Sequence, residues 1–151
     1  MAIRPARVAD AQAICELINY YAERGRMLHR SLENVYETMR DFILAVDAER
    51  RVVGCVAVHV FWDDLAEVKS LAVARDVTGK GIGTKLLRAA IEETVRLGVA
   101  KLFALTYEKD FFLRFGFEVI DRQTLPEKVW RECIGCPKAE ACDEIAVMLQ
   151  L

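Results

Sequence analysis

The chain has 151 residues, 54% hydrophobic and 29% charged, a size and balance that suit a single domain with one core spanning residues 1–151. Its 21 Lys and Arg stand against 23 Asp and Glu, a formal net charge of −2, and the basic residues are spread from Arg4 to Lys138 without the dense stripe that nucleic-acid binding requires. No apolar run approaches the length of a membrane span, and Met1 to Asp10 carries no apolar signal core, so neither nucleic acid nor membrane is expected as a partner and the cytoplasm is the expected location.

Ala2 to Ala6 reads as a short first strand, with Pro5 suiting a sheet edge. Asp10 to Tyr21 is predicted helical, because Ala11, Ile14, Leu17 and Ile18 recur at three- and four-residue spacing. Gly25 breaks that run. Ser31 is placed to cap a second helix reaching about Asp41, with Leu32, Val35, Tyr36 and Met39 as its apolar stripe. Phe42 to Val46 is the next strand, and Asp47 to Arg50 the hairpin turn. Val52 to Phe61 is a long strand with almost no polar residue, so both its faces are expected to be covered. Leu65 to Val73 follows as a fourth strand.

Thr78 to Gly83 is a glycine-rich loop, and Ile82 to Leu97 is a strong helix closed by Gly98. Lys101 to Tyr107 is a fifth strand, Asp110 to Phe115 a short helix stopped by Gly116, and Phe117 to Ile120 a sixth strand. Glu144 to Leu149 makes the last strand. The order β-α-α-β-β-β-α-β-α-β-β is α/β of the mixed α+β kind: a central, mostly antiparallel sheet of six or seven strands with helices on both faces.

Five cysteines divide into two groups. Cys15 and Cys55 lie in apolar periodic segments and are expected to be buried. Cys133, Cys136 and Cys142 form C-x2-C-x5-C. A reducing compartment argues against a permanent disulfide there. A metal site would want a fourth His or Cys ligand nearby, so no metal is expected.

The chemistry is anchored in the loop Thr78-Gly79-Lys80-Gly81-Ile82-Gly83, which leads from a strand into a long helix. Glycines let a backbone turn tightly and approach a ligand. The N–H groups at a helix start attract anions, and a pyrophosphate is the natural occupant. Lys80 and Lys85 add charge at the rim. The Walker pattern is absent, and G-x-G-x-x-G is not met. A plain structural turn is the alternative reading of the loop taken alone.

This segment resembles motif A of the GNAT acetyltransferases, Q/R-x-x-G-x-G/A, with Thr78 in the first position. Phe111-Phe112-Leu113-Arg114-Phe115-Gly116-Phe117 is similar to the same family's F-Y-x-x-x-G-F, at a fitting distance downstream. The resemblance covers nearly the whole chain. It implies a GNAT fold and an acetyl-CoA-dependent N-acetyltransferase. The pyrophosphate of acetyl-CoA would rest on Thr78, Gly79, Lys80, Gly81, Ile82, Gly83 and Thr84. The pantetheine arm would lie beside Leu71, Ala72 and Val73, with Phe112 also against the cofactor.

Acetyl transfer needs an amine stripped of its extra proton, and an α-amino group is mostly protonated at neutral pH. Glu67 is the candidate base, since the family often places a Glu on this strand. Period-two alternation would set Glu67, Lys69, Leu71 and Val73 on one face; the plainer alternative is a solvated Glu67–Lys69 charge pair. A backbone N–H near Leu71 to Val73, where the strand splays from its neighbour, would hold the oxyanion. The family's usual acid toward the CoA thiolate is the Tyr that Phe112 replaces. Tyr107 is a candidate substitute, or else a packed aromatic. His59, in an apolar strand, reads as a satisfied core residue rather than a base.

Arg24 to Ser31 is cationic and runs into a helix start, a combination that suits a carboxylate. Arg26, Arg30 and Lys69 are the candidate acceptor-binding residues. Ordinary solvated arginines are the alternative. Arg26 to Ser31, Asp64 to Val73, Leu105-Thr106-Tyr107, Cys136-Pro137-Lys138 and Cys142-Asp143-Glu144 resemble the short stand-alone bacterial N-acetylglutamate synthases, with His29 in place of Pro and Lys69 in place of Arg. That resemblance implies L-glutamate as acceptor and a role in arginine biosynthesis. Another small amine or a protein amine, or a non-catalytic acetyl-CoA sensor, is the competing reading. A two-fold homodimer is the default expectation for assembly.

Overall fold

The computed structural model of the chain describes residues 1–129 and 144–151. Its elements follow the expected order: β1 (Ala2–Pro5), α1 (Ala11–Ala22), α2 (Leu32–Glu37), β2 (Phe42–Val46), β3 (Val52–Trp62), β4 (Leu65–Val73), α3 (Ile82–Leu97), β5 (Lys101–Thr106), α4 (Lys109–Leu113), β6 (Glu118–Val119) and β7 (Ile145–Gln150). The strands hydrogen-bond in the order β1-β2-β3-β4-β5-β7-β6. The β1–β2, β2–β3, β5–β7 and β6–β7 pairs are antiparallel and β4–β5 is parallel, the mixed sheet expected from the sequence. Among the described residues no helix is long and apolar enough to cross a membrane. Cys133, Cys136 and Cys142 lie outside the described residues.

Two compact units divide the chain: Met1–His59 with Val68–Glu93, and Val60–Glu67 with Thr94–Leu151. In the first, α1 and α2 cover one face of the sheet. Ile14 and Ile18 of α1 and Val35 of α2 pack with Phe42, Leu44, Cys55, Ala57 and Ala72. The other face carries α3. Successive strand residues point to opposite faces, so Gly54, next to Cys55, faces α3, where Leu86 and Ile82 close over it. Residues 53–58 of β3 are all buried, which accounts for the apolar composition of that strand.

The second unit has its own core, in which Leu65 and Phe103 pack with Leu125, Val129 and Ala146. Phe112 of α4 is buried edge-on against Phe117, at 5.2 Å between ring centroids. Phe117 therefore turns inward, and β6 shrinks from the expected four residues to Glu118–Val119.

Local chemistry explains the other boundaries. Ser31 caps α2, its Oγ accepting the Asn34 N–H at 3.0 Å. The helix stops at Glu37, short of Asp41, because the Thr38 hydroxyl donates to the Asn34 carbonyl at 2.7 Å and a 3-10 turn follows. The turn after β2 is as expected: the Arg50 N–H donates to the Asp47 carbonyl, and Arg50 takes φ 65°.

Asp10 locks β1 to the start of α1. Its carboxylate accepts two bonds from Arg4, at 2.8 and 3.0 Å, and the Arg7 N–H at 2.7 Å. The Arg4 hydrogen bond, above all, holds the Asp10 carboxyl below its ordinary value. A depressed carboxyl contributes stability that is full above the unfolded-state value and is lost as pH falls through the folded one. Asp10→Asn is expected to lower stability by about 1–2 kcal/mol at pH 7 and to flatten the loss of stability below about pH 4. Urea unfolding of both proteins from pH 3 to pH 7 checks this.

Candidate active site

The candidate phosphate loop lies wholly in the first unit. Arg75–Val77 makes a short 3-10 turn after β4, and the Ala74 N–H donates to the Val53 carbonyl at 2.8 Å. Gly79 and Gly81 both take φ 80°, a region costly for residues with a Cβ. A Cβ at either would meet no atom within 4 Å, so the demand for glycine there is conformational rather than steric. The Lys85 N–H donates to the Gly81 carbonyl at 3.1 Å. The N–H groups of Ile82, Gly83 and Thr84 thus stand ahead of the helical ladder, where an anion can take them. Thr78, Gly79, Lys80 and Gly81 are exposed, Gly83 and Thr84 half-buried, and Ile82 is buried as the helix anchor. The Thr78 hydroxyl is turned back onto the Arg75 carbonyl at 3.1 Å.

β4 contains a feature that the sequence did not signal. Ser70 takes φ 54°, a left-handed conformation inside a strand. The alternation expected from Glu67 through Val73 is broken there, because it requires an extended backbone at every step. Beyond the break Ala72 enters the buried cluster, while Leu71 and Val73 stay half-buried. Cys55 pins the distortion: its thiol donates to the Ser70 carbonyl at 3.3 Å. Burial pushes this thiol up to about 12, against smaller opposing pulls from the Arg30 charge and the Ala72 N–H. Tyr21 of α1 donates to the Val73 carbonyl at 2.5 Å, and desolvation raises the Tyr21 hydroxyl above its ordinary value.

The cationic loop separates into distinct roles. Arg26 is exposed, whereas Arg30 is half-buried. Arg30 Nη1 donates to Asn34 Oδ1 at 3.2 Å and to Thr38 Oγ1 at 3.0 Å, and its guanidinium carbon lies 5.0 Å from the Phe42 ring centroid. Cys15 is half-buried rather than buried, and touches the Arg30 carbonyl at 3.4 Å. Lys69 is half-buried. His59 is no core residue: it is partly exposed, with Nδ1 2.9 Å from Asp41 Oδ2.

In the second unit Glu67 is 6% exposed, which removes the alternative of a solvated charge pair. It is paired in register with Phe103, at the last step of a β4–β5 ladder that starts at Leu65↔Lys101. Buried glutamates are uncommon enough to single out this one. Tyr107 is half-buried, just past the end of β5.

With this geometry in place, the comparisons decide the family. The pattern of the acetyltransferase (GNAT) family matches residues 11–117. The chain belongs to the GNAT acetyltransferase family. An uncharacterised N-acetyltransferase of Chlorobaculum tepidum is 44% identical over 149 residues, 99% of this chain and 96% of the relative. An amino-acid acetyltransferase of Mycobacterium tuberculosis is 36% identical over 132 residues, 86% of this chain and 75% of the relative. Among solved structures, N-acetylglutamate synthase from Neisseria gonorrhoeae, complexed with coenzyme A and N-acetyl-glutamate, superposes with a TM-score of 0.89 at 27% identity. This chain is covered to 99% in that match but spans only 35% of the larger protein. The family makes the chain an acetyltransferase.

Four features around the candidate site have no clear sequence signal: Ser70, Gly54, and the Asn34 and Thr38 acceptors of Arg30. Only Gly54 left a trace, as a lone glycine in an apolar strand, which marks close approach of another element. A Cβ there would fall 2.7 Å from Leu86 Cδ1 and 3.1 Å from Ile82 Cγ2. Gly54→Val is expected to lose about 1–3 kcal/mol of stability by lifting α3. Gly54→Ala, whose Cβ displaces the end of Leu86 and presses on Ile82 Cγ2 by only a few tenths of an ångström, should lose less. Urea unfolding of the two variants tests that ranking.

Proposed function

We propose that this acetyltransferase moves the acetyl group of acetyl-CoA onto the α-amino group of a small amino acid, L-glutamate in the first instance. One observation carries the choice of acceptor: Arg30, half-buried, has its guanidinium oriented by the neutral acceptors Asn34 and Thr38. Such a group binds a carboxylate in a fixed direction, with Arg26 and Lys69 adding positive charge. The amino-acid acetyltransferase of Mycobacterium tuberculosis and the N-acetylglutamate synthase fold support the same reading. A role in arginine biosynthesis and a cytoplasmic location go with it.

In this mechanism the pyrophosphate sits on the N–H groups at the start of α3, and the pantetheine arm runs beside Leu71 and Val73. Glu67 takes the proton from the acceptor ammonium, directly or through a water. The free amine attacks the thioester carbonyl. The oxyanion formed is held by the N–H of Leu71 or Val73, since that of Ala72 is turned toward Cys55. The attacking nitrogen gives its second proton to solvent, and collapse breaks the C–S bond and releases CoA thiolate, whose parent thiol has a pKa of about 8.5, low enough to leave without strong acid help. Tyr107 is the candidate donor of the proton it finally takes.

Thiol release from acetyl-CoA, measured with L-glutamate against other amino acids, polyamines and peptides, tests the reading. Turnover confined to polyamines or peptides would overturn it. Glu67→Gln is expected to lower kcat by about 100-fold or more. Gly81→Ala, forced into a left-handed conformation at about 1–2 kcal/mol, should raise the KM for acetyl-CoA while the KM for the amine barely moves. Steady-state kinetics with each substrate varied in turn separates the two.

A further inference from the structure

Arg30 belongs to a stretch that is neither helix nor strand, so no ladder fixes its backbone. The fixing comes from Asn19 on α1. Asn19 Nδ2 donates to the Arg30 carbonyl at 2.8 Å, and Asn19 Oδ1 accepts the Arg30 N–H at 3.0 Å. The side-chain amide therefore engages both main-chain groups of one residue, as a neighbouring strand would. Asn19 is itself held: its Nδ2 reaches Cys15 Sγ at 3.3 Å, one turn back on the same helix. Ile14 and Ile18, both fully buried, fix α1 against the sheet. On the other side of Arg30, Ser31 caps α2, and Asn34 of that helix and Thr38 just past its end meet the guanidinium.

We propose that Asn19 is a positioning residue for the acceptor: by clamping the Arg30 main chain to α1 it sets where the guanidinium meets the substrate carboxylate. This rests on the reading that Arg30 binds that carboxylate. A long side chain on a loosely held loop would lose conformational freedom on binding, and the clamp removes that loss beforehand. Asn19 touches no reacting atom, so its effect must pass through Arg30.

The test is a double-mutant cycle with Asn19→Ala, Arg30→Ala and the pair together, read as kcat/KM for L-glutamate and KM for acetyl-CoA. Alanine is the best helix former, so α1 should survive the change. Asn19→Ala is expected to raise the KM for glutamate by about tenfold, with kcat and the KM for acetyl-CoA within about twofold. In the Arg30→Ala background the same change should do almost nothing. Asn19→Asp, which keeps the acceptor for the Arg30 N–H but loses the donor to its carbonyl, should also raise the glutamate KM and serves if the alanine variant folds poorly. Equal effects of Asn19→Ala in both backgrounds, or an unchanged glutamate KM, would overturn the positioning role and leave the proposed function standing. Absence of turnover with glutamate and every other carboxylate-bearing amine would remove that function, and the role of Asn19 with it.

Discussion

The start of α3, where the candidate phosphate site lies, depends on how closely that helix can lie on the sheet, and Gly54 sets that closeness. Without a side chain at this point of β3, Ile82 and Leu86 settle onto the strand. Those two residues belong to the first turns of α3, the part whose N–H groups face the candidate phosphate site. The buried apolar stripe of the helix, Leu86, Leu87 and Ala90, then holds it in place. The loop before it is free to spend its glycines on conformation. Close packing and the candidate anion site are thus two ends of one helix.

β4 carries a second constraint. A left-handed residue in a strand is unfavourable for anything but glycine, and serine has no special fitness for it. The conformation persists because its surroundings hold it: the Cys55 thiol on the Ser70 carbonyl, and Tyr21 on the Val73 carbonyl. The result is a strand broken in its alternation at Ser70, in the region where the thioester is proposed to lie. The buried Cys55 is then part of the scaffold of that stretch, and a thiol raised to about 12 has no reactivity to spare for anything else.

Much of this was legible in the sequence, and the reasons differ by element. The bounds of α3 could be read because its apolar stripe runs unbroken from Ile82 and Gly98, at φ 79°, ends it. Ser31 was readable as a cap because capping is local. The end of α2 was not, since Thr38 stops the helix by bonding its own backbone rather than by any breaker residue. Phe117 reads as a strand residue until its ring is needed against Phe112. In the site, the glycine loop and Glu67 were visible as pattern. Ser70 was invisible, and so was the pairing of Asn19 with Arg30, because contacts between a helix and an irregular loop leave no period in the sequence. The same holds for the Asp41 partner of His59.

Helix α1 carries two of these contacts, two residues apart and on different faces. Asn19 grips the loop that bears Arg30, and Tyr21, two residues on, grips the strand that precedes the phosphate loop. Two residues of α-helix advance about 3 Å along an axis that does not stretch. With Arg30 as the proposed carboxylate anchor and β4 as the proposed thioester strand, both are tied to one rigid rod rather than to separate loops. Such a rod works as a gauge of molecular length. On the proposed function, an acceptor with one methylene too few would reach the anchor or the thioester but strain to reach both, so discrimination by chain length would need no pocket shaped to exclude it.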